Sequence, residues 1–197
     1  MRGGLRPSAS LSESLVAAAS HRMAGMTPQL LEAITRQIGA EFGASFSYLA
    51  MAGWCEHHQF MGAGKWLRMQ SAEEHQHGTK LFNFVLARNF PVNLPAIEKP
   101  VSDFASIAQV FERALAQEEQ VSRQIDALYE LAFEQKVFAA MAELQWFITE
   151  QVEEEKTVRE IVAKFHMVQG DPASTLDLDR ELGGRRPEGE DGHEHES

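Results

Sequence analysis

Four long stretches of this chain repeat their apolar residues about every 3.5 to 3.6 positions, and no stretch alternates as a strand would. The first follows Thr27-Pro28, a capping residue and a proline suited to the first helical position. It carries Leu30, Leu31, Ile34, Ile38, Phe42, Ser45, Tyr48, Leu49 and Ala52 and ends near His58. A break is expected over 59–64, where two glycines flank Ala63. The second stretch, from about 65 to 89, holds Trp66, Met69, Leu81, Phe84, Val85 and Leu86. Residues 90–100 hold three prolines, show no period and read as an extended connection. Ser102 is expected to cap a third helix through Ile107, Phe111, Leu115, Val121, Ile125 and Leu128. A fourth runs through Phe138, Met141, Leu144, Ile148, Val158, Ile161, Val162 and Phe165. Helix length alone puts the turn between them at 134–136, which has neither Gly nor Pro. Gly170-Asp171-Pro172 stops the fourth helix and starts a short fifth, from 172 to about 182.

This pattern predicts an all-α fold, a four-helix bundle with a long crossover between helices two and three and a short fifth helix at the C-terminal side. Each long helix would measure about 40–45 Å at 1.5 Å per residue. The eleven residues of 90–100 can span most of that length. The folded domain is expected over 27–182. Residues 1–26 are rich in Ser, Ala and Gly, carry arginine but no lysine, and have the composition of a transit peptide. A disordered arm is the preferred reading. Residues 183–197 form a polar tail, acidic and with His193 and His195, that has too little apolar surface to fold.

Composition narrows the function. Lys plus Arg number 18 against 29 Asp plus Glu, a formal net charge of −11, which repels nucleic acid and attracts cations. One cysteine, Cys55, leaves no disulfide framework and no Cys-rich zinc site. No apolar run approaches the roughly 20 residues that cross a bilayer. Neither nucleic acid nor membrane is an expected partner.

Several acids share a face with the apolar stripes. Glu41 lies seven residues after Ile34 and seven before Tyr48; Glu74 stands likewise between Leu67 and Leu81, and Glu154 between Phe147 and Ile161. His77, three residues after Glu74, falls on the same helix face. Ionised carboxylates inside a bundle are costly unless a cation neutralises them. Converging acids with one imidazole form an oxygen-rich site suited to iron or manganese. On the third helix Glu118 and Glu119 both lie near the stripe, and the periodicity as read leaves the choice open. Glu-x-x-His alone says little, since Glu190-Asp191-Gly192-His193 in the tail also matches.

The segments GAEFGASFSYLAMAGWC, AEEHQHGTKLFNFV and LQWFITEQVEEEKTVREI resemble those of the non-haem ferritins of bacteria, over about 27–182. The resemblance implies a hollow 24-subunit shell, a homo-oligomer that oxidises ferrous iron with dioxygen or peroxide and stores ferric mineral. It implies a di-iron centre with Glu41, Glu74 and His77 at the first iron. Glu74 would bridge to a second iron held by Glu119 and Glu154, with Gln151 nearby. A third iron site would use Glu73, Glu150, Glu153 and Glu154, and Tyr48 would sit beside the first iron as an electron donor. Bacterioferritins place histidine where this chain has Glu154, so no haem is expected. Di-iron oxygenases usually carry two Glu-x-x-His motifs, and Gln151 and Glu154 replace the second here. The rival reading is a structural shell that sequesters iron passively, which would be marked by loss of Glu41, Glu74 or His77; none is lost. The expected compartment is the cytoplasm, or, on the composition of the N-terminal arm, an organelle such as a plastid if the source is eukaryotic.

Overall fold

The computed structural model describes residues 26–184, all helix and connection with no strand among them. Most of the arm and tail lies outside the described residues, but Met26, assigned above to the arm, is buried in the core, and Gly183 and Gly184, assigned to the tail, belong to the last helix. Five helices follow one another: α1 Pro28–His57, α2 Met61–Ala87, α3 Ile107–Glu134, α4 Phe138–Met167 and α5 Pro172–Gly184. The Thr27 hydroxyl accepts from the Leu30 amide at 3.1 Å and so caps α1, with Pro28 in the first turn as expected.

Two local expectations change. The break after α1 is short, because Gly62 and Gly64 lie inside α2. The glycine at 62 serves a close approach: a β-carbon there would sit 1.8 Å from the Asp179 carbonyl oxygen of α5. Ser106, not Ser102, caps α3, its hydroxyl accepting from the Gln109 amide at 3.2 Å, so the crossover is longer than expected. The α3–α4 turn does fall at 134–136 without glycine. There Lys136 takes the left-handed conformation, φ 56°, as Gln59 and Asn89 do after α1 and α2. Such residues cost roughly 1 kcal/mol each, so glycine is favoured there but not obligatory.

Two apolar clusters fill the bundle. One joins the start of α1 (Leu30, Ile34, Ile38) to the end of α2 (Leu81, Val85), the end of α3 (Ile125, Leu128) and the start of α4 (Leu144, Phe147). The other joins Met51 and Cys55, Trp66, Phe111, and Ile161 and Phe165 with Leu182 of α5. The membership shows that α1 runs antiparallel to α2 and α3, and α4 antiparallel to α2. Helices α2 and α3 are therefore parallel, which is what a full-length crossover requires. That crossover leaves from Phe90 beside the first cluster and arrives at Phe104 in the second. Midway it lies on α1, where a β-carbon at Gly39 would meet Pro95 Cγ at 2.3 Å. Between the clusters lies a layer of polar side chains.

Candidate metal centre

Each helix places its contribution by heptad register. Counting sevens from apolar core positions brings Glu41 on α1, Glu74 and His77 on α2, and Glu154 on α4 into the layer between the clusters. All four are buried, with Glu41 fully enclosed and Glu154 the most exposed at 9%.

On α3 the structure corrects the expectation. Glu118 is buried and joins the cluster, while Glu119 is only partly buried and takes no part. The stripe of α3 runs through Phe111, Ala114, Glu118, Val121 and Ile125, with Ala114 in the core position expected for Leu115. Glu118 stands seven residues after Phe111 and seven before Ile125, whereas Glu119 stands between Glu112 and Asp126. The rule that picked the other acids picks Glu118 as well.

The ligand atoms fall into three overlapping groups, each with its atoms within 4.8 Å of one another: Glu41, Glu74 and His77; Glu74, Glu118 and Glu154; and Glu73, His77, Glu150 and Glu154. Glu74 belongs to the first two. His77 Nδ1 lies 3.4 Å from Glu74 Oε2 and 3.8 Å from Glu154 Oε1. Glu153 joins none of the groups; it is exposed and pairs with Lys156 at 3.3 Å. In the third group Glu73 and Glu150 are partly exposed, so this side of the layer leads outward.

Neutral donors hold some of the carboxylates. Gln37 Nε2 donates to Glu41 Oε1 at 2.9 Å. The Tyr48 hydroxyl donates to Glu118 Oε1, and Gln151 Nε2 lies 3.3 Å from Glu118 Oε2. Tyr48 thus reaches the acid of α3 rather than Glu41. Gln37 was not anticipated, although its position one turn before Glu41 is the signal that could have found it. Trp146 lies edge-on to the His77 ring, 5.3 Å between centroids, and carries Lys80 Nζ on its outer side 4.6 Å from the ring centre.

The protein satisfies this layer incompletely. Glu41 Oε2, Glu74 Oε2, Glu154 Oε2 and His77 Nδ1 are buried without hydrogen-bond partners. Burial raises the Glu41 carboxyl to about 7 and, reinforced by the neighbouring acids, pushes Glu74 and Glu154 well above the usual carboxylate range. Glu118 is raised too, burial outweighing its hydrogen bonds. Burial lowers His77 to about 4, with Lys80 adding to the effect, so the imidazole is neutral and its lone pair is free to bind a metal. Without a cation the acids retain protons; with one, they can release them and bind through oxygen. The donor set, hard oxygens with one nitrogen, suits divalent iron.

Comparison with known proteins agrees with this chemistry. Residues 31–168 match the family model for the ferritin-like domain. The chain is 34% identical over 161 residues to the bacterial non-heme ferritin of Staphylococcus aureus (strain USA300), covering 81% of this chain and 96% of that protein. The protein of that description from Staphylococcus haemolyticus matches at the same identity and coverage. Among solved structures, the open pore ferritin of the hyperthermophilic archaeon Archaeoglobus fulgidus superimposes with a TM-score of 0.80 at 37% identity, covering 82% of this chain and 99% of that one. A closed form of that ferritin, engineered by site-directed mutagenesis, gives the same TM-score at 38% identity.

Proposed function

This chain belongs to the bacterial-type non-haem ferritins, and from that premise we propose that it oxidises Fe(II) to Fe(III) with dioxygen at a di-iron centre within each subunit. Its assembled shell then stores the ferric product. Iron storage is the family's function; the oxidation site and its residues are our reading. The observation that carries it is the overlap of two ligand groups at Glu74, with buried carboxylate oxygens left unpartnered on either side.

In this reading Glu41, Glu74 and His77 hold the first iron, and Glu74 bridges to a second held by Glu118 and Glu154. Gln151 and Tyr48 brace Glu118 through hydrogen bonds and keep its oxygens directed into the layer. Two ions sharing a carboxylate lie close enough to pass electrons to one oxidant. The carboxylates then stabilise the harder ferric ion, and as single-oxygen ligands they can also release it. Glu73 and Glu150, with His77 and Glu154, form a third position on the outward path. Tyr48, bonded to Glu118, is placed to supply a further electron. We read the assembly as a 24-subunit shell and the compartment as cytoplasmic. Among the described residues no helix is long and apolar enough to cross a membrane.

The test is aerobic loading with a large excess of Fe(II), followed by sedimentation. A storage protein yields a soluble particle whose iron and protein sediment together and grow denser with iron added. Iron that precipitates apart from the protein would refute storage.

A further inference from the structure

Resting on the reading of the buried acids as a metal centre, we propose that Gln37 is a positioning residue of that centre, fixing which oxygen of Glu41 meets the ion. Gln37 lies one turn before Glu41 on α1 and is itself buried, 4% exposed. Its Nε2 donates to Glu41 Oε1 at 2.9 Å, while Oε2 of the same carboxylate is buried without a partner. Glu41, Glu74 and His77 present their ligand atoms within 4.8 Å of one another. A carboxylate with one oxygen committed to an amide has the other left for a metal, so Glu41 is held as a single-oxygen ligand in one rotamer. The choice of an amide matters. A lysine or arginine in its place would neutralise the carboxylate and compete with the ion; glutamine orients the acid and leaves its charge to the metal.

At the opposite end of the layer an amide also holds a carboxylate, although there both oxygens have donors, Tyr48 on Oε1 and Gln151 on Oε2. Gln151 Nε2 lies 3.3 Å from Glu118 Oε2, as Gln37 does for Glu41 at shorter range. Glu74 and Glu154, which are shared between ligand groups, have no such amide, and each keeps an unpartnered oxygen. The acids at the two ends are pinned, and the shared ones between them can turn as ions arrive. Gln37 also forms part of the wall of a 520 Å³ cavity between α1 and α3, with Arg36, Ala40, Gln124 and Leu128. That space gives a replacement side chain room to sit without forcing the helices apart.

The experiment is an oxygen-free titration of the metal-free, assembled protein with Co(II), followed by visible absorbance, in wild type, Gln37→Leu and Gln37→Met. Thermal unfolding of each is recorded alongside. Wild type is expected to take up about two ions per subunit. Loss of the amide is expected to weaken one of the two by roughly tenfold and to leave the other within about twofold. It should also lower the absorbance per ion at the weakened position, because Glu41, freed to bind through both oxygens, raises the coordination number. Unchanged affinities and an unchanged spectrum in both variants would overturn the role of Gln37. So would equal weakening of both positions with a fall in melting temperature, which is the mark of a merely structural amide. A wild-type protein that binds no Co(II) would instead overturn the metal centre itself.

Discussion

Asp179 and Glu74 are both buried carboxylates, yet the structure treats them in opposite ways. Asp179, on α5, docks against the first turn of α2, where its two oxygens accept from the Ala63 amide at 2.8 Å and the Gly62 amide at 3.2 Å. Those amides are among the donors that a helix start leaves unpaired, and the helix dipole favours a negative charge there. Glu74 has three other acids around it and an oxygen with no donor. One acid completes the protein's own hydrogen bonding and fastens the short helix to the bundle. The other leaves a deficit that the protein cannot fill from its own groups. Burial of an acid therefore says little about function; what matters is whether its partners are already present.

The largest effect is expected at Glu74. Glu74→Ala removes the carboxylate common to two ligand groups, and stopped-flow absorbance should find Fe(II) oxidation reduced to the rate in buffer. Asp179→Ala should do the reverse, leaving Co(II) uptake intact while chemical denaturation shows a loss of about 2–3 kcal/mol from two stranded amides. Glu154→Gln sharpens the contrast through its sign. It replaces a buried carboxyl that must take up a proton to fold at neutral pH, so the metal-free protein should gain about 1 kcal/mol in the same denaturation experiment while binding metal less tightly.

The gentlest perturbation leaves the sequence intact and changes the pH. Glu41 titrates near 7 in the folded protein against an ordinary 4.5, so between these values the folded state holds the proton that the unfolded chain has lost. Stability of the metal-free protein therefore falls as pH rises through that window. Glu74, Glu118 and Glu154 act in the same direction. His77, lowered from 6.5 to about 4, opposes them at the acid end, one group against four. Melting temperature without metal should drop between about pH 5 and pH 8, and saturation with Co(II) should flatten the slope.

The bundle was legible in the sequence because four amphipathic helices with a proline-rich connection leave few alternatives. The acids of α1, α2 and α4 were legible because a charged residue in core register stands out. On α3 a stripe drawn through Leu115 rather than Ala114 left Glu118 and Glu119 undecided, and the family resemblance then assigned Glu119. Glu153 was likewise grouped with its neighbours, although α4 turns it outward to Lys156. Other features depended on contacts between distant segments. Gly62 reads as a helix breaker until α5 is seen against it, and no sequence signal marks Asp179, whose partners are backbone amides 116 and 117 residues away.

The most direct test of the central claim is aerobic oxidation of Fe(II) added to the metal-free protein at about two ions per subunit, followed in the near ultraviolet. Oxidation far faster than in buffer is expected, complete at that ratio and lost in Glu74→Ala. A rate equal to that in buffer would contradict the claim and leave the buried acids without the catalytic role proposed here.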